Sequence, residues 1–313
     1  MSFSGDVKNE ITRADEEKKC CMLAEIAGFI RMCGYVGLSG GGRLNLSIAT
    51  ENPAIARLFI KRIKNYFNVG ANLSIEQSNV LKKNRIYSLT IDAEDNAEQI
   101  LRETGIMRVR EGCNYFPDDI SSDITKTRCC RKAFLRGAFL AAGTISHPDR
   151  SYHMEIVCSS EMLANDIKRL INGFGLRSKV APRRNSYVVY LKESEQISDF
   201  LALLGANNQV LEFENIRIIK ELRNKTNRIV NCESANMDKA INSAARQIEF
   251  IRLIESKRGL DSLPFNLRAL AELRLENPES SLAELGAMLQ PPLQKSGVNH
   301  RFRKIEEIAE KLR

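Results

Sequence analysis

The feature that most limits what this chain can fold into is a repeat 109 residues apart. "KCCMLAEIAGFIRMCG" (Lys19–Gly34) and "RCCRKAFLRGAFLAAG" (Arg128–Gly143) share Cys-Cys, an alanine and both glycines, five identities in sixteen positions, where chance gives roughly one. The segments that follow keep step. "LNLSIATENPAIARLFIKRIKNYF" and "YHMEIVCSSEMLANDIKRLINGF" each read as an alternating strand and then a helix of apolar period 3.6. "RIYSLTI" and "SYVVYL" supply a later strand in each copy. The pattern is a tandem duplication of an α+β unit, with repeats at about 19–115 and 128–205. "GLSGGGR" (Gly37–Arg43) lies between a helix and a strand and lacks the following Lys-Ser/Thr of a phosphate loop, so it reads as a hairpin turn.

Small residues indicate how the copies meet. Ala133, Gly137 and Ala141 recur every fourth position, and Ala24 and Gly28 repeat the spacing in the first copy. Such a stripe lets helix backbones approach more closely than the usual 8–10 Å. The spacing predicts that the two equivalent helices pack on each other at a pseudo-twofold axis.

Charge suggests the kind of partner. The chain of 313 residues carries a formal +8, and Lys126 to Lys192 alone holds 13 Lys/Arg against 4 Asp/Glu. A second basic cluster, Lys295 to Lys304, contains no acid. Two separate clusters favour a polyanion such as double-stranded DNA. No apolar run approaches the roughly 20 residues needed to span a bilayer, and "MSFSGDVKNEI" has no basic and then apolar signal region. The expectation is a cytoplasmic, nucleoid-associated protein with no membrane partner. The eight cysteines form two adjacent pairs (Cys20–Cys21, Cys129–Cys130) and four singles, without a C-x-x-C. That spacing points to small buried apolar side chains rather than disulfides or zinc, so no metal and no cofactor are expected.

"IAGFIRMCG" (Ile26–Gly34) and "LRGAFLAAG" (Leu135–Gly143) resemble the paired helices of LAGLIDADG homing endonucleases, with both glycines aligned. In that family an acid precedes each final glycine and holds divalent metal over the scissile phosphates. Here those positions are Cys33 and Ala142, and no Asp or Glu occurs from Ala27 to Ala49 or from Arg136 to His147. A thiol is a poor Mg²⁺ ligand and an alanine is none. The resemblance therefore implies a retained scaffold without catalysis, and leaves a surface that contacts DNA or a protein. Arg177, Lys179, Arg183 and Arg184, read as a turn between strands of the second copy, suit phosphate contacts; solvated loop charge is the alternative reading.

From residue 211 the pattern turns helical. Phe213 to Arg223 reads as a helix, "NKTNRIVNCESAN" as a connector, and Ala235 to Lys257 as a second helix ending at Gly259. The expected division is a duplicated domain over 1–210, a linker over 211–235 and an all-α domain over 236–313. In the last, one helix runs from near Pro264 to Asn277. A second is capped by Ser281 and Glu284 and stopped by Pro291–Pro292, and a third starts near Ser296. Val298, Phe302, Ile305, Ala309 and Leu312 make one apolar stripe on the third. Ser296, His300, Arg303 and Lys304 point away from it, with Asn299 and Arg301 on its flanks and Lys295 at its start. This is a helix-turn-helix pattern whose last helix suits the major groove.

Degenerate double LAGLIDADG region, connector "NRIVNCESAN" and tail "LQKSGVNHRFRKIEEIAEKL" together resemble the WhiA family of Gram-positive bacterial transcription regulators. The resemblance implies a non-catalytic, sequence-specific DNA-binding regulator concerned with sporulation genes, cell division or chromosome organisation. Other transcription regulators or RNA polymerase are further partners it suggests. Two other readings stay open: a metal-dependent endonuclease with ligands displaced to Asp149 or Glu155, and a duplicated domain that docks proteins while the helix-turn-helix alone touches DNA.

Overall fold

The computed structural model describes residues 2–14, 18–77 and 85–313. Two compact units divide the chain, Met1–Lys220 and Glu221–Arg313. The first opens with α1 (Phe3–Ile11). The first repeat then runs α2 (Lys19–Cys33), β1 (Gly34–Ser39), β2 (Arg43–Thr50), α3 (Pro53–Phe67), β3 (Asn72–Gln77), β4 (Arg85–Ile91) and α4 (Ala97–Glu103). A small ribbon of β5 (Arg108–Arg110) and β6 (Cys113–Tyr115) leads to the second repeat. This comprises α5 (Arg128–Ala142), β7 (Gly143–Ile145), β8 (Met154–Cys158), α6 (Glu161–Asn172), β9 (Lys179–Arg183), β10 (Ser186–Leu191) and α7 (Ser194–Leu204). The sheets are antiparallel with orders β1-β2-β4-β3 and β7-β8-β10-β9. Each copy is thus αββαββα with the same strand order, the fold class of a duplicated LAGLIDADG-like unit. The "GLSGGGR" segment forms the β1–β2 hairpin, with Leu38 opposite Leu44.

Strand alternation buries one face of each sheet: Leu46 and Ile48 on β2, Leu89 and Ile91 on β4, Met154, Ile156 and Cys158 on β8. The helices that close this core start on polar caps. Asn52 Oδ1 accepts from the amides of Ala54 and Ile55, and Ser160 Oγ accepts from Leu163.

The centre of the unit is the pair α2 and α5. Ala24, Ala27, Ala133 and Ala138 are buried in it, and Ala141 is half-buried at its edge. At two positions the backbones themselves touch. A methyl built on Gly137 would lie 2.0 Å from the Glu25 carbonyl oxygen, and one on Gly28 would lie 2.2 Å from that of Phe134. No residue larger than glycine fits at either crossing point. Beside them sits a buried charge cluster. The Glu25 carboxylate accepts from Arg136 Nε at 2.8 Å and Nη2 at 3.0 Å, and Arg62 Nε of α3 lies 3.2 Å away. All three side chains are almost wholly buried, so each charge depends on the others for the solvation it has given up.

The second unit has its own core, in which Phe250, Ile251 and Ile254 pack with Leu267, Leu270, Leu285, Val298, Phe302 and Ile305. Its helices are the end of α8 (Asn207–Arg258), then α9 (Phe265–Glu276), α10 (Leu282–Met288) and α11 (Lys295–Glu310). Helix α8 differs from the sequence expectation. "NKTNRIVNCESAN", read as a connector, is helical, and so is the whole expected linker over 211–235. The reason is local: no glycine or proline occurs between Asn207 and Arg258, and Asn, Ser and Thr cost a helix only tenths of a kcal/mol each. The stretch Glu221–Ser243 is exposed throughout. Among the described residues no helix is long and apolar enough to cross a membrane.

Candidate nucleic-acid interface

Helix α11 is two-faced. Val298, Phe302, Ile305 and Ala309 are buried at helical spacing. Ser296, His300 and Lys304 form a row on the opposite side, and Lys295, Asn299 and Arg303 form the adjacent row along its flank; all six are exposed. Lys295 to Lys304 spans about 14 Å along the axis at 1.5 Å per residue, and a helix about 10–12 Å in diameter matches a major groove about 12 Å wide. The helix begins at Gln294 with no side-chain cap. Its first amides therefore face outward with the positive end of the helix dipole, an arrangement suited to a phosphate. Arg301 is set apart from these rows. It is half-buried, and its Nη1 donates to the Asn266 carbonyl at 3.1 Å, tying α11 to α9.

The rest of the unit holds this helix at a fixed angle. In α10, Gly286 packs so closely on the turn that an added methyl would lie 2.2 Å from the Leu293 carbonyl oxygen and 3.1 Å from Val298 Cγ2. The turn is fastened by Leu293 N donating to the Gly286 carbonyl at 2.8 Å. Helix α10 starts on a reciprocal cap: Glu284 N donates to Ser281 Oγ, and Ser281 N donates to Glu284 Oε2 at 2.7 Å. The Ser281 backbone and side-chain hydrogen bonds hold the Glu284 carboxyl below its usual range. Arg246 of α8 pairs with Glu306 of α11 at 2.8 Å.

Sequence reasoning missed Arg274, which is 1% exposed. Its Nη1 donates to the carbonyls of Asn277, Pro278 and Ser280, and its Nε donates to Gln247 Oε1. The guanidinium lies 5.5 Å from the Phe302 ring centre. One side chain thus ties α8 and the α9–α10 turn to the buried face of α11. The signal was present: Leu267, Leu270 and Ala271 define the apolar stripe of α9, and Arg274 occupies its next position.

In the first unit the four cations read as one turn separate. Arg184 alone sits in the β9–β10 turn, with φ +50°. Lys179 and Arg183 are the two ends of β9, roughly 13 Å apart at strand rise, on the face opposite Val180; Arg177 precedes the strand. The reason is that β9 begins at Lys179, earlier than the basic run suggests. Arg183 Nη1 is paired with Glu155 Oε1 at 3.0 Å, and Glu155 Oε2 lies 3.1 Å from His153 Nε2. Burial raises the Glu155 pKa, but the His153 and Arg183 contacts outweigh it and the net shift is downward.

At the C-terminal ends of α2 and α5, where homing endonucleases hold their acids, the donors do not fit a divalent metal. Cys33 Sγ donates to the Phe29 carbonyl at 3.3 Å, and burial pushes its thiol up to about 12. It is therefore protonated at neutral pH. Ala142 offers a methyl group. From α1 the half-buried Lys8 reaches in, its Nζ 5.9 Å from the Phe139 ring centre and close enough to act electrostatically on Cys33. Desolvation lowers this ammonium to about 8. A thiol, a methyl and an amine are poor company for Mg²⁺, which selects hard oxygen ligands. Asp149 is exposed in the loop after β7, and Glu155 is engaged by Arg183 and His153.

The cysteines are dispersed differently from the sequence expectation of small buried side chains. Cys21, Cys130 and Cys158 are buried, Cys33 and Cys129 are intermediate, and Cys20, Cys113 and Cys232 are exposed. The two vicinal pairs come together at the N-terminal ends of α2 and α5.

Family models match along most of the chain: the WhiA N-terminal LAGLIDADG-like domain over residues 19–107, the WhiA LAGLIDADG-like domain over 131–223, and the WhiA C-terminal HTH domain over 226–309. The chain is 50% identical to the probable cell division protein WhiA of Clostridium perfringens (strain 13 / Type A). It is 48% identical to that of Clostridium novyi (strain NT). Both alignments take in 100% of this chain and 99% of the relative. Among solved structures, full-length DUF199/WhiA from Thermatoga maritima has a TM-score of 0.60 at 26% identity, covering 99% of each chain. The N-terminal LAGLIDADG domain of DUF199/WhiA has a TM-score of 0.50 at 21% identity, covering 65% of this chain and 90% of that one, and attests the fold alone.

Proposed function

This chain belongs to the WhiA family, and on that premise we propose that it is a non-catalytic, sequence-specific DNA-binding transcription regulator. Helix α11 reads base edges from its two exposed rows while its amino end and basic side chains hold phosphates. The observation that carries this reading is that one helix combines a fully buried stripe with two exposed polar and basic rows. In this reading Asn299 pairs with an adenine edge, and Lys295, Arg303 and Lys304 supply phosphate contacts. Arg301 serves the packing of α11 on α9 more than base readout. Relatives bear the name of probable cell division proteins, which supports cell division genes as targets; sporulation genes follow as a second set in a host that sporulates.

The first unit acts in this reading as a scaffold that presents the outer face of its second sheet, with Lys179 and Arg183, to the DNA backbone or to a partner regulator. The donor set at Cys33, Ala142 and Lys8 counts against metal-dependent cleavage. The test maps binding sites on the chromosome and then titrates a recovered site with the Asn299→Ala and His300→Ala variants. Each lost base contact should cost about 1–3 kcal/mol and narrow the gap to scrambled DNA. Unchanged affinity and unchanged discrimination in both variants would refute α11 as the reading helix.

A further inference from the structure

We propose that Cys20, Cys21, Cys129 and Cys130 form a tetrathiolate site for one Zn²⁺ ion that clamps the two repeats together at the amino ends of α2 and α5. Each repeat contributes its second and third helical residues, Cys20 and Cys21 from α2, Cys129 and Cys130 from α5. The four sulfurs all lie within 4.8 Å of one another. A Zn–S bond of about 2.3 Å in a tetrahedron sets S···S edges of about 3.8 Å. Closing to that geometry needs shifts of about 1 Å, within reach of thiol rotation about χ1.

Chemistry favours a soft, tetrahedral ion. Thiolates select zinc over magnesium or calcium, and the compact spacing suits one ion. Loading displaces the thiol protons and leaves a doubly negative centre. The surroundings are built for negative charge. Both helix N-termini point their dipoles at the sulfurs, and Lys18 and Lys132 line the same surface cleft as Cys21 and Cys129. Thr127 Oγ1 lies 3.2 Å from Cys129 Sγ while also capping the Cys130 amide, an outer partner that fixes the α5 ligands. Cys20 is exposed and Cys129 half-buried, so an ion can enter, while Cys21 and Cys130 are buried beneath.

This site is distinct from the position where homing endonucleases hold catalytic metal. Cys33 and Ala142 lie at the other ends of the same helices, about 20 Å away at 1.5 Å per residue. The sequence hid it because the ligands sit 109 residues apart and neither pair is a C-x-x-C; the fold brings the two pairs together.

The test uses full-length protein purified under reducing, oxygen-free conditions. Elemental analysis should find one zinc per chain, and exchange with Co²⁺ should give the intense visible bands of a tetrahedral thiolate site. The double variant Cys20→Ser/Cys129→Ser, at the two more accessible ligands, should lose both signals while keeping its circular dichroism spectrum. Cys113→Ser and Cys232→Ser, whose thiols are exposed elsewhere, should keep both. Any of three results would overturn the proposal: no stoichiometric zinc in the wild-type protein, zinc retained in the double variant, or disulfides joining these cysteines in place of metal.

Discussion

Replacing Gly137 with alanine puts the contact between the repeats to a test in which even the sign of the effect is informative. In an exposed or loosely packed helix this substitution stabilises by about 1 kcal/mol, because alanine is the better helix former. Here the new methyl carbon would stand 2.0 Å from the Glu25 carbonyl oxygen and 2.9 Å from the Phe29 amide nitrogen. Both are backbone atoms of α2 and cannot rotate aside. Reaching an allowed contact requires α2 and α5 to part by about 1 Å. A gap of that size forfeits a quarter to a half of the dispersion energy of each contact along the seam. It also strains the neighbouring Glu25–Arg136 pair, which shares the same helix turn. Overpacking alone costs about 1–3 kcal/mol, and the strained pair places the expected loss at about 3 kcal/mol or more. Because Gly28→Ala opens the same seam from the other helix, the double variant should lose clearly less than the sum of the two single losses. Urea titration followed by circular dichroism measures all three, the chain having no tryptophan. A gain in stability for Gly137→Ala, or strict additivity with Gly28→Ala, would refute the close backbone contact.

Other perturbations probe separate parts of the account. Glu25→Gln leaves Arg62 and Arg136 buried without their carboxylate and should destabilise by about 3–5 kcal/mol in the same titration. Replacing all three with aliphatic residues of similar volume should restore most of that loss. Lys8→Met should stabilise at pH 7 by up to about 3 kcal/mol, because the folded ammonium titrates at about 8 against 10.5 when unfolded. The folded state then binds fewer protons between those values, so wild-type stability rises with pH across that window and the advantage of methionine vanishes above it; urea midpoints at pH 7 and pH 10.5 check this. Arg274→Met removes the ties to three carbonyls and the stacking on Phe302. It should cost about 3 kcal/mol and weaken DNA binding without changing its salt dependence, a combination that fluorescence anisotropy at several salt concentrations resolves.

Much of the fold was legible because its signals are local or repeated. The Cys-Cys and Gly positions announced the duplication, the alternating runs gave β2, β4, β8 and β10, and Ser281 with Glu284 marked the start of α10. What was not legible depends on distance in space. Continuity of α8 was obscured by Asn and Ser, which favour turns in isolation but do not forbid a helix. Arg301 and Asn299 look alike on a helical wheel, and only the position of the Asn266 carbonyl separates them. Four cations close in sequence became a strand with two ends because the turn sits at Arg184. Lys8 offered no sign that it would meet Cys33, 25 positions later.

The most direct measurement is the salt dependence of DNA binding by the full-length chain and by the variant Lys295→Ala/Arg303→Ala/Lys304→Ala. These side chains are exposed on α11 and form none of its packing, so the fold should persist. The account predicts a marked loss of affinity and a log–log salt slope shallower by about 2–3, near 0.9 for each phosphate contact removed. Equal affinity and an equal slope for the two proteins would show that this helix does not lie against the duplex.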